Sequence, residues 1–434
     1  MENNYNNINS VYALMDCNQF YVSCERAFNP FLENKPVGVL SNNDGCLVAL
    51  SPELKAMGIT RGMPGFKVKE MLQKQGKYVY LFSSNYELYG DMSSRVMKIA
   101  RDTAIDIEIY SIDEAFLLLD GIQPFNSYTQ YAETLRTKIK KSTGIPVSIG
   151  IAKTKTLAKI ANKIAKKTKS GVFDLTTLSE DEIHKLLKSV KVEDIWGIGR
   201  QHNKRLRKNG IYTAYDFINC NQEWVKKEMS IVGEKTQLEL KGIPCSELEK
   251  EIPNPKSIVC SRSFGRPVTQ YIELAESISL FCTKAIKRLR KKNHVAKTLH
   301  IFITTNPFNS GSQYANFTQA NLINYSAYTP DFIKLAISLL EKIYKPGYAY
   351  KKSGVMITNM IPEDRIYPDL FYSRYGDDNR DKVMKLVDKI NKQYDKDIIF
   401  FASNGIKKSW SMKREMISSR FTTRWTELPI VKAK

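Results

Sequence analysis

The patterned part of the chain opens with a short apolar run, Val11-Tyr-Ala-Leu-Met15, that stops abruptly at Asp16. Such a run predicts a buried strand with a carboxylate at its end. A mixed, loop-rich stretch follows to about Ser84, punctuated by Pro30, Pro36, Pro52 and Pro64. Met92, Val96 and Ile99 then have helical spacing. Ile105-Asp-Ile-Glu-Ile-Tyr110 alternates with period two, and Ala115-Phe-Leu-Leu-Leu119 predicts a second strand, with Ser111-Ile-Asp-Glu114 between them. Tyr131, Leu135 and Ile139 mark another helix, Val147-Ser-Ile-Gly-Ile151 a strand, and Leu157, Ile160, Ala161 and Ile164 the next helix. Strands and helices that alternate in this way predict one sheet in an α+β, split βαβ arrangement.

From about Leu175 to Gly242 the pattern is all-helical, small and basic. Glu247 to Pro255 is charged and carries two prolines, which reads as a linker. Beyond it come a strand (Ile258 to Phe264), a helix with apolar Ile278, Phe281, Cys282, Ala285, Ile286 and Leu289, two strands, a helix (Phe332 to Ile343) and a strand (Val355 to Met360). That is a β-α-β-β-α-β order. A polar stretch bearing Tyr and Asp precedes a helix near Val383 to Ile390 and a basic, aromatic end. No internal repeat is visible, and no apolar run approaches the ~18 residues that would cross a bilayer.

Size and charge narrow this picture. A chain of 434 residues exceeds a single core. The net charge of +21 implies a polyanionic partner, either nucleic acid or an acidic membrane surface; the plainer reading is a soluble protein with a basic surface. The seven cysteines form no CxxC pair, and with four scattered histidines they make no zinc pattern. Free thiols in a reducing cytoplasm are the expectation. Met1 to Ser10 is Asn-rich, lacks a basic-then-apolar secretion signal, and is expected to be a mobile tail.

The acids carry the candidate chemistry. Asp16 ends one strand, and Asp113 and Glu114 lie between two others, so only a fold can unite them. Acids at the rim of apolar strands are costly without a positive partner. Oxygen ligands with no His or Cys favour Mg²⁺. Two such ions, about 3.5–4 Å apart, can activate a 3′-hydroxyl and steady a leaving pyrophosphate. On chemistry alone a second reading stands beside this one, with Asp16 a turn residue and Asp113-Glu114 a solvated hairpin.

The wording of the motifs separates the two. Asp16-Cys-Asn-Gln-Phe-Tyr-Val-Ser-Cys-Glu25 resembles the first motif of Y-family DNA polymerases, and Tyr110-Ser-Ile-Asp-Glu-Ala-Phe116 their second carboxylate motif. Ser41-Asn-Asn-Asp-Gly-Cys46, Ser83-Ser-Asn-Tyr-Glu-Leu-Tyr89, Trp410-Ser-Met-Lys-Arg-Glu415 and Arg420-Phe-Thr-Thr-Arg-Trp425 resemble the UmuC type in particular. The resemblance runs from Val11 to about Pro429. It implies a right-hand polymerase: a palm (11–19 and 85–174), fingers (20–84), a helical thumb (175–243), a linker (244–256), a β-α-β-β-α-β little finger (257–361) and a C-terminal segment (362–434). It further implies that Asp16, Asp113, Glu114 and the backbone carbonyl of Cys17 hold two metal ions. Tyr21 is implied to stack under the sugar and exclude a 2′-hydroxyl, while Phe20 packs. Lys55 and Lys159 match positions that reach the triphosphate, although Ala49, Pro52 and Lys55 depart from the archaeal pattern, which has Thr, Tyr and Arg there.

Seven lysines and no acid between Ile151 and Ser170 favour anion binding beside that sheet. Ile195-Trp-Gly-Ile-Gly199 ahead of a basic helix looks like a helix-hairpin-helix, in which Gly197 and Gly199 let amides approach a phosphate and Arg200 and Lys204 follow. Lys287, Arg288, Lys291 and Lys292 form a second basic cluster expected on DNA, beside Lys284 and Arg290. Tyr367-Pro-Asp-Leu-Phe371 lies where UmuC-like chains carry a clamp-binding peptide, with Leu370 and Phe371 as its apolar pair, or it is a loop anchored by those two residues. The expected function is error-prone synthesis opposite damaged template bases, with primer-template DNA and deoxynucleoside triphosphates as substrates. A processed UmuD-type subunit and a recombinase filament are implied partners. The rivals are a non-catalytic polymerase-like accessory protein, against which all three acids stand, and a nucleotide cyclase, which does not explain the Gly-Ile-Gly segment.

Overall fold

The computed structural model describes residues 10–121, 127–249, 254–365, 378–394, 397–428 and 430. In its described residues the chain divides into two compact units, Met1–Ser41, Gly45–Ile252 and Met416–Lys434 in one, Asn42–Asp44 and Pro253–Glu415 in the other.

The first unit is built in chain order from β1 (Tyr12–Cys17), α1 (Phe20–Phe28), β2 (Val37–Leu40), β3 (Leu47–Leu50), α2 (Pro52–Ala56), α3 (Gly65–Lys74), β4 (Tyr80–Ser83), α4 (Tyr86–Arg101), β5 (Asp106–Ile109), β6 (Glu114–Leu118), α5 (Tyr128–Thr143), β7 (Val147–Ala152), α6 (Lys155–Ala165) and β8 (Val172–Asp174). Four helices follow: α7 (Glu180–Ser189), α8 (Arg200–Lys208), α9 (Ala214–Ile218) and α10 (Gln222–Leu240). The main sheet has the order β5-β6-β1-β7-β8, with β1 central and antiparallel to both neighbours. Period two along β1 sends Ala13, Met15 and Cys17 into a core shared with α4 and α5, and Leu14 into a second core shared with α6 and the four-helix segment. β1 is thus apolar on both faces, and its polar end is the exception.

Helix α6 lies tight on β7. A Cβ on Gly150 would stand 2.0 Å from the backbone nitrogen of Asn162, so only glycine permits this approach. The buried Asn162 amide then donates to the carbonyls of Leu14 (3.0 Å) and Ser148 (2.8 Å). At the other end of α6, Thr154 caps the helix and the α10 residue Glu239 accepts from the Thr156 amide at 2.9 Å. Lys155 reaches Glu108 of β5 at 2.5 Å, with both side chains buried.

The loop-rich expectation up to Ser84 needs correction. That stretch contains a three-stranded sheet, β3-β2-β4, with a core of Leu40, Leu47, Leu50, Leu54, Val68, Leu72 and Leu81 beneath α2 and α3. Its strands are four residues each, too short for period two to stand out among the prolines. Ser10, expected in a mobile tail, is buried and donates to Asp120 at 2.8 Å.

The second unit has the expected element order: β9 (Ile258–Val268), α11 (Tyr271–Lys291), β10 (His294–Thr305), β11 (Ala315–Ser326), α12 (Thr329–Ile343) and β12 (Tyr350–Pro362). The sheet is antiparallel in the order β11-β10-β12-β9, with α11 and α12 packed on one face. A further helix, α13 (Asp378–Gln393), exceeds the expected turns near Val383 to Ile390. Trp410 joins this unit's core against Phe264 and Phe281.

Candidate active site

The register of the main sheet decides which acids meet. Asp16 and Glu114 are directly opposed on β1 and β6, on the face that also carries Leu14, Phe116 and α6. Two lysines from that helix and its end cover them. Lys166 reaches Asp16 at 2.7 Å and Lys159 reaches Glu114 at 3.0 Å. Burial pushes the Asp16 carboxyl up to about 7; Lys166 opposes the shift and the neighbouring Glu114 adds to it. The Lys159 ammonium also sits over the rings of Tyr110 at 4.4 Å, Trp196 at 5.3 Å and Phe116 at 5.7 Å.

Asp113 sits in the turn before β6. Ser111 Oγ donates to its carboxylate at 2.6 Å and accepts from the amides of Asp113 and Glu114. The Cys17 amide donates to the Asp113 carbonyl at 2.8 Å, tying the end of β1 to this turn. Among the described residues no group of three His, Cys, Asp or Glu side chains stands together as a metal cluster. The structure brings Asp16 to Glu114, while Asp113 is engaged with Ser111 beside them. A donor set of oxygens alone, with one carboxyl forced towards its neutral form by burial and an adjacent acid, fits a hard divalent cation.

Tyr21 follows on α1, whose N-cap Gln19 holds the left-handed φ of 43°. Phe20 is buried in the core, as expected, and Tyr21 is half-buried. The Tyr21 ring stacks on Tyr89, with centroids 4.5 Å apart and planes at 15°, and meets Tyr86 edge-on at 6.0 Å. Burial raises the Tyr21 phenol, Tyr86 and Asp113 add to this, and Arg61 opposes it. The charge of Arg61 thus acts on this phenol, a cation that sequence reasoning missed because one Arg in a Thr-Arg-Gly turn leaves no pattern. Lys55 is exposed at the end of α2.

The lysine-rich run is only partly free for anions. Lys155 is committed to Glu108, and Lys163 pairs with Asp194 at 2.7 Å. Gly197 has φ +89°, which a side chain disfavours, and Gly199 is the N-cap of α8 with nothing near its Cβ position. Arg200 and Lys204 are exposed on α8. In the second unit Arg288, Lys291 and Lys292 are exposed, whereas Lys287 pairs with Asp397 at 3.0 Å. Arg290 is a structural residue: it is part-buried, held by Asp388 of α13 and by the Ala327 carbonyl. Leu370 and Phe371 lie outside the described residues.

Comparison with known proteins follows the same outline. Residues 15–163 match the model described as the impB/mucB/samB family, residues 255–370 match that family's C-terminal domain, and residues 381–431 match a domain of unknown function. Protein UmuC of Salmonella typhimurium is 40% identical over 97% of this chain and 100% of its own length. DNA polymerase IV of Bacillus velezensis is 24% identical over 94% of this chain and 95% of its own. Among solved structures, a Y-family DNA polymerase chimera matches with a TM-score of 0.63 at 22% identity, covering 81% of this chain and 99% of that one, which shows a shared fold.

Proposed function

This chain belongs to the impB/mucB/samB family, the UmuC type of Y-family DNA polymerase, and from that premise we propose how it acts. It is a DNA-directed DNA polymerase that adds deoxynucleotides opposite damaged template bases, in damage-induced mutagenesis. The observation that carries the site is the contact of Asp16 with Glu114 beneath Lys166 and Lys159. Its segments take the roles of palm (11–19 and 85–174), fingers (20–84), thumb (175–243), linker (244–256), little finger (257–361) and a UmuC-type C-terminal segment (362–434).

Asp16, Asp113, Glu114 and the Cys17 carbonyl would hold the divalent ions that a polymerase requires, Mg²⁺ by the hardness of these donors. Bound there, two ions supply activation of the primer 3′-hydroxyl and neutralisation of the departing pyrophosphate. The protein's own groups do the rest. Lys159 and Lys166 give the acids a countercharge before substrate arrives, and turn that charge to the triphosphate oxygens afterwards. Arg61 and Lys55 extend the same positive surface. The Tyr21 ring fills the space a 2′-hydroxyl would need, which selects deoxyribonucleotides by steric exclusion. The amides at Gly197 and Gly199 with Arg200 and Lys204, and separately Arg288, Lys291, Lys292 and the ion-paired Lys287, hold DNA phosphates without reading bases. A processed UmuD-type subunit, a recombinase filament and a clamp contact through Leu370 and Phe371 are the partners of this reading, and the cytoplasm is its compartment.

The test is primer extension with Asp113→Ala and Glu114→Ala, alongside titration of DNA binding. Both variants should lose nucleotide addition by about a hundred- to a thousandfold, as expected when transition-state charge stabilisation is removed, and should retain DNA affinity. Extension at the wild-type rate by either variant would remove that residue from the site.

A further inference from the structure

Within the C-terminal segment, the stretch from Met416 belongs to the first unit and packs against β4, α4 and α1. Ser83 in β4, the edge strand of the small sheet, donates its amide to the Met416 carbonyl at 2.9 Å, and the Met416 amide donates to Ser83 Oγ at 3.0 Å. A parallel bridge pairs Ser83 with Ile417. Asn85, the N-cap of α4, donates to the Ser418 carbonyl and hydroxyl, each at 3.0 Å, while its own oxygen accepts the Leu88 amide. Phe421 stacks on Phe28 of α1 at 4.9 Å and 16°. Arg420 joins Glu427 and reaches Glu87 of α4 at 3.2 Å.

At the centre of this docking is a buried carboxylate. Glu25 is 2% exposed, and its Oε1 accepts two hydroxyls, Tyr89 at 2.6 Å and Ser418 at 2.9 Å. Among the described residues no cation pairs with it. A buried acid without a counterion is stabilised by the donors it collects, so both hydroxyls are held in place. Tyr89, itself fully buried, is the ring on which Tyr21 stacks. The chain of contacts therefore runs Ser418–Glu25–Tyr89–Tyr21, from the C-terminal strap to the ring proposed as the sugar gate.

We propose that residues 416–428, within the stretch matched only as a domain of unknown function, form a positioning element for nucleotide sugar selection. The strap fixes Glu25 through Ser418, Glu25 fixes the Tyr89 ring, and Tyr89 backs Tyr21. Without the strap the backing ring turns more freely, Tyr21 yields to a larger sugar, and ribonucleotides enter. This rests on the reading of Tyr21 as the gate.

The experiment measures kcat/KM for a deoxynucleotide and its ribonucleotide counterpart with the full-length chain on an undamaged primer-template. Tyr21→Ala is the control for the gate. Ser418→Ala and Tyr89→Phe should lower the sugar discrimination about ten- to a hundredfold, the worth of one hydrogen bond to a charged group. The change should come from faster ribonucleotide use, with deoxynucleotide kcat held in Ser418→Ala. Glu25→Gln should restore near wild-type discrimination relative to Glu25→Ala, because an amide oxygen still accepts both hydroxyls. Ser418→Ala removes one atom, so it reads the link even if Tyr89→Phe folds poorly. A Tyr21→Ala variant with unchanged discrimination overturns the gate and the strap together. A permissive Tyr21→Ala beside wild-type discrimination in Ser418→Ala and Tyr89→Phe overturns the strap alone. So does an equal loss for both sugars, which marks a merely structural role.

Discussion

Lys155 and Glu108 offer the sharpest test of how the catalytic face is held. Lys155 is the first residue of α6, the helix that brings Lys159 to the acids, and its ammonium meets Glu108 Oε2 at 2.5 Å and the Glu247 carbonyl at 2.5 Å. Glu108 also accepts the Glu249 amide at 2.8 Å. The side chains are 3% and 10% exposed, so water cannot replace a lost partner. Lys155→Met leaves the Glu108 carboxylate with one amide donor and the Glu247 carbonyl with none. Breaking a buried pair in this way costs about 3–5 kcal/mol, against about 0.2–1 kcal/mol for an exposed pair. Glu108→Leu strands the ammonium and should cost a similar amount. The double variant removes both charges and leaves only the Glu247 carbonyl and the Glu249 amide unpaired, at about 1–3 kcal/mol each. The singles should therefore sum to more than the double, with a coupling of about 2 kcal/mol or more. Urea unfolding followed by the fluorescence of Trp196 and Trp224, both in this unit, measures the cycle. Near-additive singles of about 1 kcal/mol each would mean that the pair is effectively solvated, and the account of a rigidly anchored α6 would be wrong.

Two further outcomes follow from charge. Burial pushes Glu25 up to about 6, against its bonds from Tyr89 and Ser418, so the folded chain holds this proton more tightly than the unfolded one. Its contribution to stability is full below about pH 4.5 and is lost as pH rises through about 6, a change of about 2 kcal/mol; wild type should lose that amount relative to Glu25→Gln between pH 4.5 and 7.5 in paired unfolding titrations, and a constant difference would contradict the buried charge. For DNA, anisotropy titrations across a salt series should give a slope of log affinity that flattens by about one for each phosphate contact removed, so Arg200→Ala with Lys204→Ala should flatten it by about two while weakening unrelated sequences equally. An unchanged slope would leave these side chains as a solvated helix face.

That Asp16 ends a strand was legible because an apolar run that ends in an acid is a local pattern; its pairing with Glu114 rested on the wording of the motifs, because only the register of two strands of one sheet brings their ends together. The β-α-β-β-α-β order was legible for the same reason: its strands run 11 to 13 residues, long enough for alternation to register. The strands of the small sheet are four residues each and escaped notice. The lysine-rich run was expected to bind anions beside the sheet, yet its members differ in ways composition does not encode. Lys155 is buried structure, Lys159 and Lys166 face the carboxylates, and Lys163 is tied to Asp194. The C-terminal tail is the clearest limit. Its motif marked a subfamily but carried no visible chemistry, because its chemistry is a serine hydroxyl whose partner lies 393 positions earlier. Periodicity reports what a residue does to its own helix or strand. A short polar side chain that completes a distant buried acid leaves no periodic trace, and it becomes readable only when the acid is seen to accept that hydroxyl together with the one from Tyr89 and to have no counterion among the described residues.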